Sequence, residues 1–295
     1  MKLRVLRDSV VRETEKTLIE NTGGRAVSKK LLVVSTTVLA LTVALLVQTH
    51  AQNRVTSVPS GGTPVVPDSQ VNGPVPRLPD GHPDLSGPWL GGGSNADIER
   101  EGGLKAGELP LLPWAKELRD KRKEQDEPYV ACTPMSVPRI NPFPWKMVYS
   151  LTPKGVTEIY ILHELGDGGA HRVVYMDGRK HPDDLFPTWY GHSIGRWEGD
   201  TLVIDTVGYN DKFWFDSRGT PHTEKLHTIE RFSRPNFGTL INEFTIDDPG
   251  AYSRTVQLKF TARRVRQDVE LMEDICTENN QAGIAGGYKL NSEQR

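Results

Sequence analysis

Residues Val256–Arg263 read VQLKFTAR, with Val256, Leu258, Phe260 and Ala262 alternating with Gln257, Lys259, Thr261 and Arg263. Successive side chains of a strand point to opposite faces, so this is a strand with one buried face and one wet face. The same period of two runs through the preceding hundred residues. It predicts strands at 145–151, 156–163, 171–176, 193–197, 201–207, 226–233, 239–246 and 255–263, and a last one at 269–276. Turn residues separate them: Pro153-Lys154-Gly155, Gly166-Asp167-Gly168-Gly169, Asp177-Gly178, Glu198-Gly199-Asp200 and Asp248-Pro249-Gly250. About nine strands with short connections form a meander, and a sheet of that size closes or folds in two. The expectation is a mostly β protein, an antiparallel up-and-down barrel of calycin type, with a β-sandwich as the alternative.

Upstream, Pro113–Glu127 reads as a short helix before the barrel, with Pro113 at its first position and Trp114 and Leu118 on one face. Gly87-Pro88-Trp89 is a G-x-W triplet, as at the first strand of lipocalin barrels. Because Pro88 cannot donate to a ladder, Trp89 is expected as a plug under one end of the core. Residues 52–80, rich in Pro, Gly, Ser and Val, read as a disordered linker. Residues 81–280 make one domain, and 281–295 a flexible tail.

Leu31–Val47 is apolar and uncharged, follows Lys29 and Lys30, and precedes Thr49-His50-Ala51. This is the order of a secretory signal, so residues 1–51 read as a signal peptide with a long n-region and the protein as exported, periplasmic or extracellular. An uncleaved membrane anchor is the alternative. In an oxidising compartment the two cysteines, Cys132 and Cys276, are expected to form a disulfide. The net charge of −2 gives no pull toward nucleic acid. Arg263, Arg264 and Arg266 are expected to face solvent at a strand end.

Pro187–Arg231, PTWYGHSIGRWEGDTLVIDTVGYNDKFWFDSRGTPHTEKLHTIER, concentrates the residues able to build a site. The block PTWYGHSIGRWEGDTLVIDTVGYNDKFWFD, with PHTEKLHTIERF and TIDDPGAY after it, resembles a family of exported bacterial proteins of unknown function. The likeness extends back to HPDLSGPW and forward to CTEN. It implies one exported domain over most of 81–280 and carries no activity or catalytic residue.

Two functions fit these residues. The first is binding of a small apolar or aromatic molecule inside the barrel, lined by Trp189, Tyr190, Trp197, Tyr209, Trp214 and Phe215. The second is a cofactor-independent isomerase, lyase or cyclase. There His192 or His222 would act as acid or base, oriented by Asp211 or Glu224, at a rim formed by the Gly208–Lys225 loop. The two are told apart by whether either imidazole points into the cavity beside a carboxylate. Asp205 is expected in an ion pair with Arg196 or Arg231. Ser193, flanked by Gly191 and Gly195, lacks the strand–turn–helix setting of a hydrolase nucleophile. No spacing among His192, Asp211, His222, Glu224 and His227 matches a metal motif, so neither metal nor cofactor is expected. The only partner expected is a small molecule, with no nucleic acid and with membrane contact limited to an uncleaved N-terminus.

Overall fold

The computed structural model describes residues 63–153, 155–165 and 170–276. The segments expected as a signal peptide and a C-terminal tail lie outside them. Nine strands close into a barrel in sequence order: β1 Gly87–Gly91, β2 Trp145–Thr152, β3 Gly155–His163, β4 His171–Tyr175, β5 His192–Glu198, β6 Thr201–Val207, β7 His227–Asn236, β8 Thr239–Asp247 and β9 Val256–Arg264. The calycin-like barrel is therefore present, and the sandwich alternative is excluded. One junction departs from an up-and-down meander. β4 and β5 run parallel, with Val174 opposite Ser193 and Tyr175 opposite Ile194. Parallel neighbours need a crossover, which residues 176–191 provide.

The ninth strand is not the expected one. Residues 269–275 form no strand, and Met272 is largely exposed. The barrel is closed by Gly87–Gly91, paired with β2 on one side and β9 on the other. Pro88 is tolerated there because it is used as an acceptor: its carbonyl takes the N–H of Val265. Residues 63–80 are not a free linker either. Val65 bridges to Val265, a short helix α1 forms at Asp68–Val71, and Arg77 makes a two-pronged bond to Asp200 at 2.8 and 2.9 Å.

Between β1 and β2 lie α2, Ile98–Glu101, and α3, Pro113–Lys121. α3 is shorter than the sequence suggests: it ends at Lys121, a 3-10 turn at Glu124–Asp126 takes up its charged end, and a second follows at Pro128–Ala131. Its buried face carries Ala115 and Arg119, while Trp114 is exposed and its indole N–H donates to the Gly250 carbonyl. Cys132 and Cys276 are joined, with Cα atoms 5.5 Å apart. The bond ties the chain beyond β9 to the β1–β2 insertion, aided by Tyr129 Oη donating to Asp274 and Met272 N–H donating to Glu164.

Inward side chains build two apolar cores. The one at the β1 end holds Trp89, Trp145, Met147, Ile161, Val174, Ile204 and Phe232. Trp89 is fully buried, its indole N–H donating to the Leu85 carbonyl at 2.9 Å. The guanidinium groups of Arg234 and Arg264 lie 5.0 and 5.3 Å from its ring. Arg264 is thus not a solvent-facing strand-end residue: it is 4% exposed, and its head group is capped by the Ser86 carbonyl. Gly87, at φ +94, is required here, since a Cβ would lie 2.2 Å from Arg264 Nη1. The other, the upper core, holds Ile98, Leu109, Ile140, Tyr209, Phe213, Phe215, Phe244 and Phe260.

Replacing Trp89 by Ala removes the plug and strands two buried cations. The expected loss is about 3–5 kcal/mol of unfolding free energy, measured by urea denaturation followed by far-UV circular dichroism.

Candidate functional site

The two cores are separated by a belt of polar side chains inside the barrel. Six strands, β3 to β8, contribute where the inward face passes from one core to the other. β4 carries Arg172 between Ala170 and Val174, β8 carries Asn242 between Leu240 and Phe244, and β7 carries Glu230 and Thr228 beyond Phe232. β3 contributes His163 beyond Ile161, and β6 and β5 contribute Thr206 and Ser193. Asn141 and Tyr190 enter from outside the strands.

Arg172 and Glu230 form an ion pair with side chains 2% and 0% exposed. Asn242 Nδ2 donates to Glu230 at 3.4 Å and to the Gly92 carbonyl at 3.2 Å, which also accepts from Asn141 Nδ2 at 3.3 Å. Tyr209 and Thr228 share a hydroxyl bond at 2.8 Å, as do Ser193 and Thr206. Ser193 is thereby used as a buried strut.

This belt is incompletely paired. Both ring nitrogens of His163, the Tyr190 hydroxyl, Arg172 Nε and the side-chain oxygens of Asn141 and Asn242 are buried without a hydrogen-bond partner. Each such group costs about 1–3 kcal/mol if it stays unpaired. Electrostatically the belt is neutral. Burial, with help from the Arg172 charge, pushes the His163 imidazole down to about 3. Burial also raises the Tyr190 phenol and pushes the Tyr209 phenol up to about 12. Burial is the largest influence on Arg172 and opposes its charge, but Glu230 and Tyr209 together outweigh it and hold the guanidinium above its ordinary range.

A second cluster sits on the outer wall. Asp205 faces outward between Val203 and Val207, and its Oδ1 accepts from His227 Nε2 at 2.8 Å and His181 Nε2 at 3.1 Å. His181 Nδ1 lies 2.8 Å from His192 Nδ1, and Tyr175 stacks on His192 with ring centres 5.3 Å apart. Asp205 is therefore in an ion-pair setting, but with histidines. Arg196 and Arg231 both bond Glu198 instead. The hydrogen bond from His227 is the largest influence on Asp205 and lowers it, while the reciprocal bond raises His227.

The ten residues singled out from sequence do not assemble in one mouth. His192 is on the outer wall. His222 is buried in the upper core, ring centre 4.0 Å from Phe213 and 5.0 Å from Phe215, with Nδ1 on the Thr223 carbonyl at 3.3 Å. Asp211 and Glu224 are exposed in the Gly208–Lys225 loop. Trp189, Tyr190, Tyr209 and Phe215 do meet, in or against the upper core. Trp197 packs against the opposite core and stacks on His82 at 4.6 Å. Trp214 lies under Arg122 and lines a recess together with Pro128, Tyr129, Pro134, Met135, Arg139 and Phe213. At about 180 Å³, including space open to solvent, that recess is below the ~300 Å³ at which small-molecule pockets begin. Among the described residues no three His, Cys, Asp or Glu side chains are arranged to hold a metal ion.

Sequence reasoning missed His163, Arg172, Glu230, Asn242 and His181. The first four carried a signal: each occupies an inward position of an alternating strand, as Glu230 does two residues before Phe232. His181, on the crossover, carried none. No family model, curated protein or solved structure matches the chain.

The buried imidazoles set an acid limit on stability. Burial pushes His222 down to about 4 and His163 to about 3, so both are neutral in the fold and take up protons on unfolding. With folded values depressed, their contribution is complete above the unfolded value of about 6.5 and is lost as pH falls through the folded values. The loss is about 1.4 kcal/mol per pH unit per histidine. His227, with a raised value, acts in the opposite sense above pH ~6.5. Urea midpoints measured from pH 7 to 5 should fall in the wild type, and less steeply by about one proton in His222→Phe.

Proposed function

We propose that this is an exported protein that binds a small, uncharged aromatic molecule at the polar belt of its barrel. The carrying observation is the set of unpartnered buried polar atoms on His163, Tyr190, Arg172, Asn141 and Asn242. They present donors and acceptors around an ion pair that is already neutralised. Such a site favours a neutral molecule with its own donor and acceptor, because a charged one would be desolvated without a free countercharge. Trp189, Tyr190 and Tyr209 border the belt with aromatic surface, as ligand pockets do. Export is supported by the Cys132–Cys276 bond, which belongs to oxidising compartments, and by the signal-like segment before Ala51.

The enzyme alternative needs an imidazole beside a carboxylate within a cavity. His192 faces away from the barrel interior, and His222 touches phenylalanines. Binding is therefore the better reading.

Native mass spectrometry of the protein from its own host should show a retained small molecule. Thermal shifts with phenol and benzamide should be positive in the wild type and reduced at least several-fold in Tyr190→Phe and His163→Leu. A bare protein mass, no shift with either probe and an unchanged or raised Tm in both variants would leave the belt a purely structural layer.

A further inference from the structure

We infer that His181 and His192 form an acid-released clasp that holds the β4–β5 crossover against the barrel wall. Among the described residues, the hydrogen bonds of residues 178–187 to the barrel strands come from one side chain, His181, which bonds His192 on β5 and Asp205 on β6. Among the described residues, the backbone after this segment rejoins the barrel at Thr188, whose N–H donates to the Gly208 carbonyl. Leu185 packs near Gly208, and Phe186 is 84% exposed, so apolar anchoring is slight.

The chemistry of the clasp is set by one distance. Two Nδ1 atoms 2.8 Å apart share a single proton. Asp205 accepts from His181 Nε2, so in the neutral pair His181 Nδ1 is the acceptor and His192 Nδ1–H the donor. One added proton is tolerated, because either ring can then donate to the other. A second added proton makes both Nδ1 atoms donors, and the contact breaks.

The groups facing the pair are Tyr175 on β4, Asp177 and Arg179 on the crossover, Asp205 on β6, His227 on β7 and, opposite His227, Asp247 on β8. Asp177 is occupied by Arg179, which lies 3.8 Å over the Tyr175 ring. Asp205 is shared with His227. Neither of these two carboxylates is therefore left to neutralise a second charge, and Asp183 and Asp184, which follow His181 on the crossover, are exposed and bond neither ring. Burial first, then the charges of His181 and Arg179, hold His192 below its ordinary range. The sign follows: the closed clasp is complete above about pH 6.5 and is lost as pH falls through the lowered His192 value. Both rings are partly exposed, so solvent protons reach them.

The test is an NMR pH titration of ¹⁵N-labelled protein from pH 7.5 to 5, following the imidazole nitrogens and the backbone amides. At pH 7.5 one of the two Nδ1 atoms should be protonated and the other not. On acidification both become protonated, and the amides of 178–187 shift in the same transition while those of β7–β9 stay in place. His192→Gln, whose amide offers a donor and an acceptor at any pH, should keep 178–187 at its neutral-pH positions. His181→Phe should show the acid positions already at pH 7.5. The inference is overturned if 178–187 does not move, if it moves equally in His192→Gln, or if His181→Phe at pH 7.5 matches the wild type. It is equally overturned if β7–β9 shifts together with the segment, since the response is then global unfolding.

Discussion

A sheet becomes a barrel only when its first and last strands meet, and here that meeting depends on how Trp89 is held. β1 is five residues long and pairs over three residues on each side. Trp89 adds a full side chain of buried apolar surface. Arg264 from β9 and Arg234 from β7 lie over its ring, so the plug joins three strands across the barrel end. Each arginine is also tied to a backbone carbonyl just before β1, Ser86 for one and Asp84 for the other. The cations are desolvated, and burial lowers both, Arg234 to about 10. They remain tolerable because the indole face and the carbonyls replace water. Closure, core and charge thus meet at one side chain.

Inside that frame, polarity is distributed by level. Apolar residues fill both ends, and the belt lies between them. The aromatic residues expected to line an open cavity largely fill the upper core instead, leaving polar atoms as the groups with spare bonding capacity. This is why the functional reading rests on the belt.

The period-two pattern was enough to find eight of the nine strands and to choose a barrel. It failed where a local rule was outweighed by tertiary structure. GPWLG breaks strand preference at Gly87 and Pro88, yet it is a strand because Arg264 needs the space of a glycine and Pro88 can still accept a bond. DVELMEDI has the alternation but no face to bury. The parallel β4–β5 junction was hidden because periodicity carries no direction. For the site, crowding of His, Trp and carboxylates along Pro187–Arg231 pointed to the right strands and the wrong side chains. Residues adjacent in sequence, such as His192 and Ser193, lie on opposite sides of the wall. Contacts such as His181 with Asp205 join segments that no spacing relates.

The parallel junction also divides the chain by how it can be assembled. Trp145–Tyr175 and His192–Arg264 are each runs of consecutive antiparallel neighbours, mostly joined by short turns that keep paired residues close in sequence, with β6 and β7 paired across the loop 208–226. Two joints link these runs to one another: the short parallel seam between β4 and β5, and the closure through β1. The barrel is in this sense two ribbons soldered along two lines. The seam, with two residue pairs in register, is the line along which they part with the fewest bonds broken.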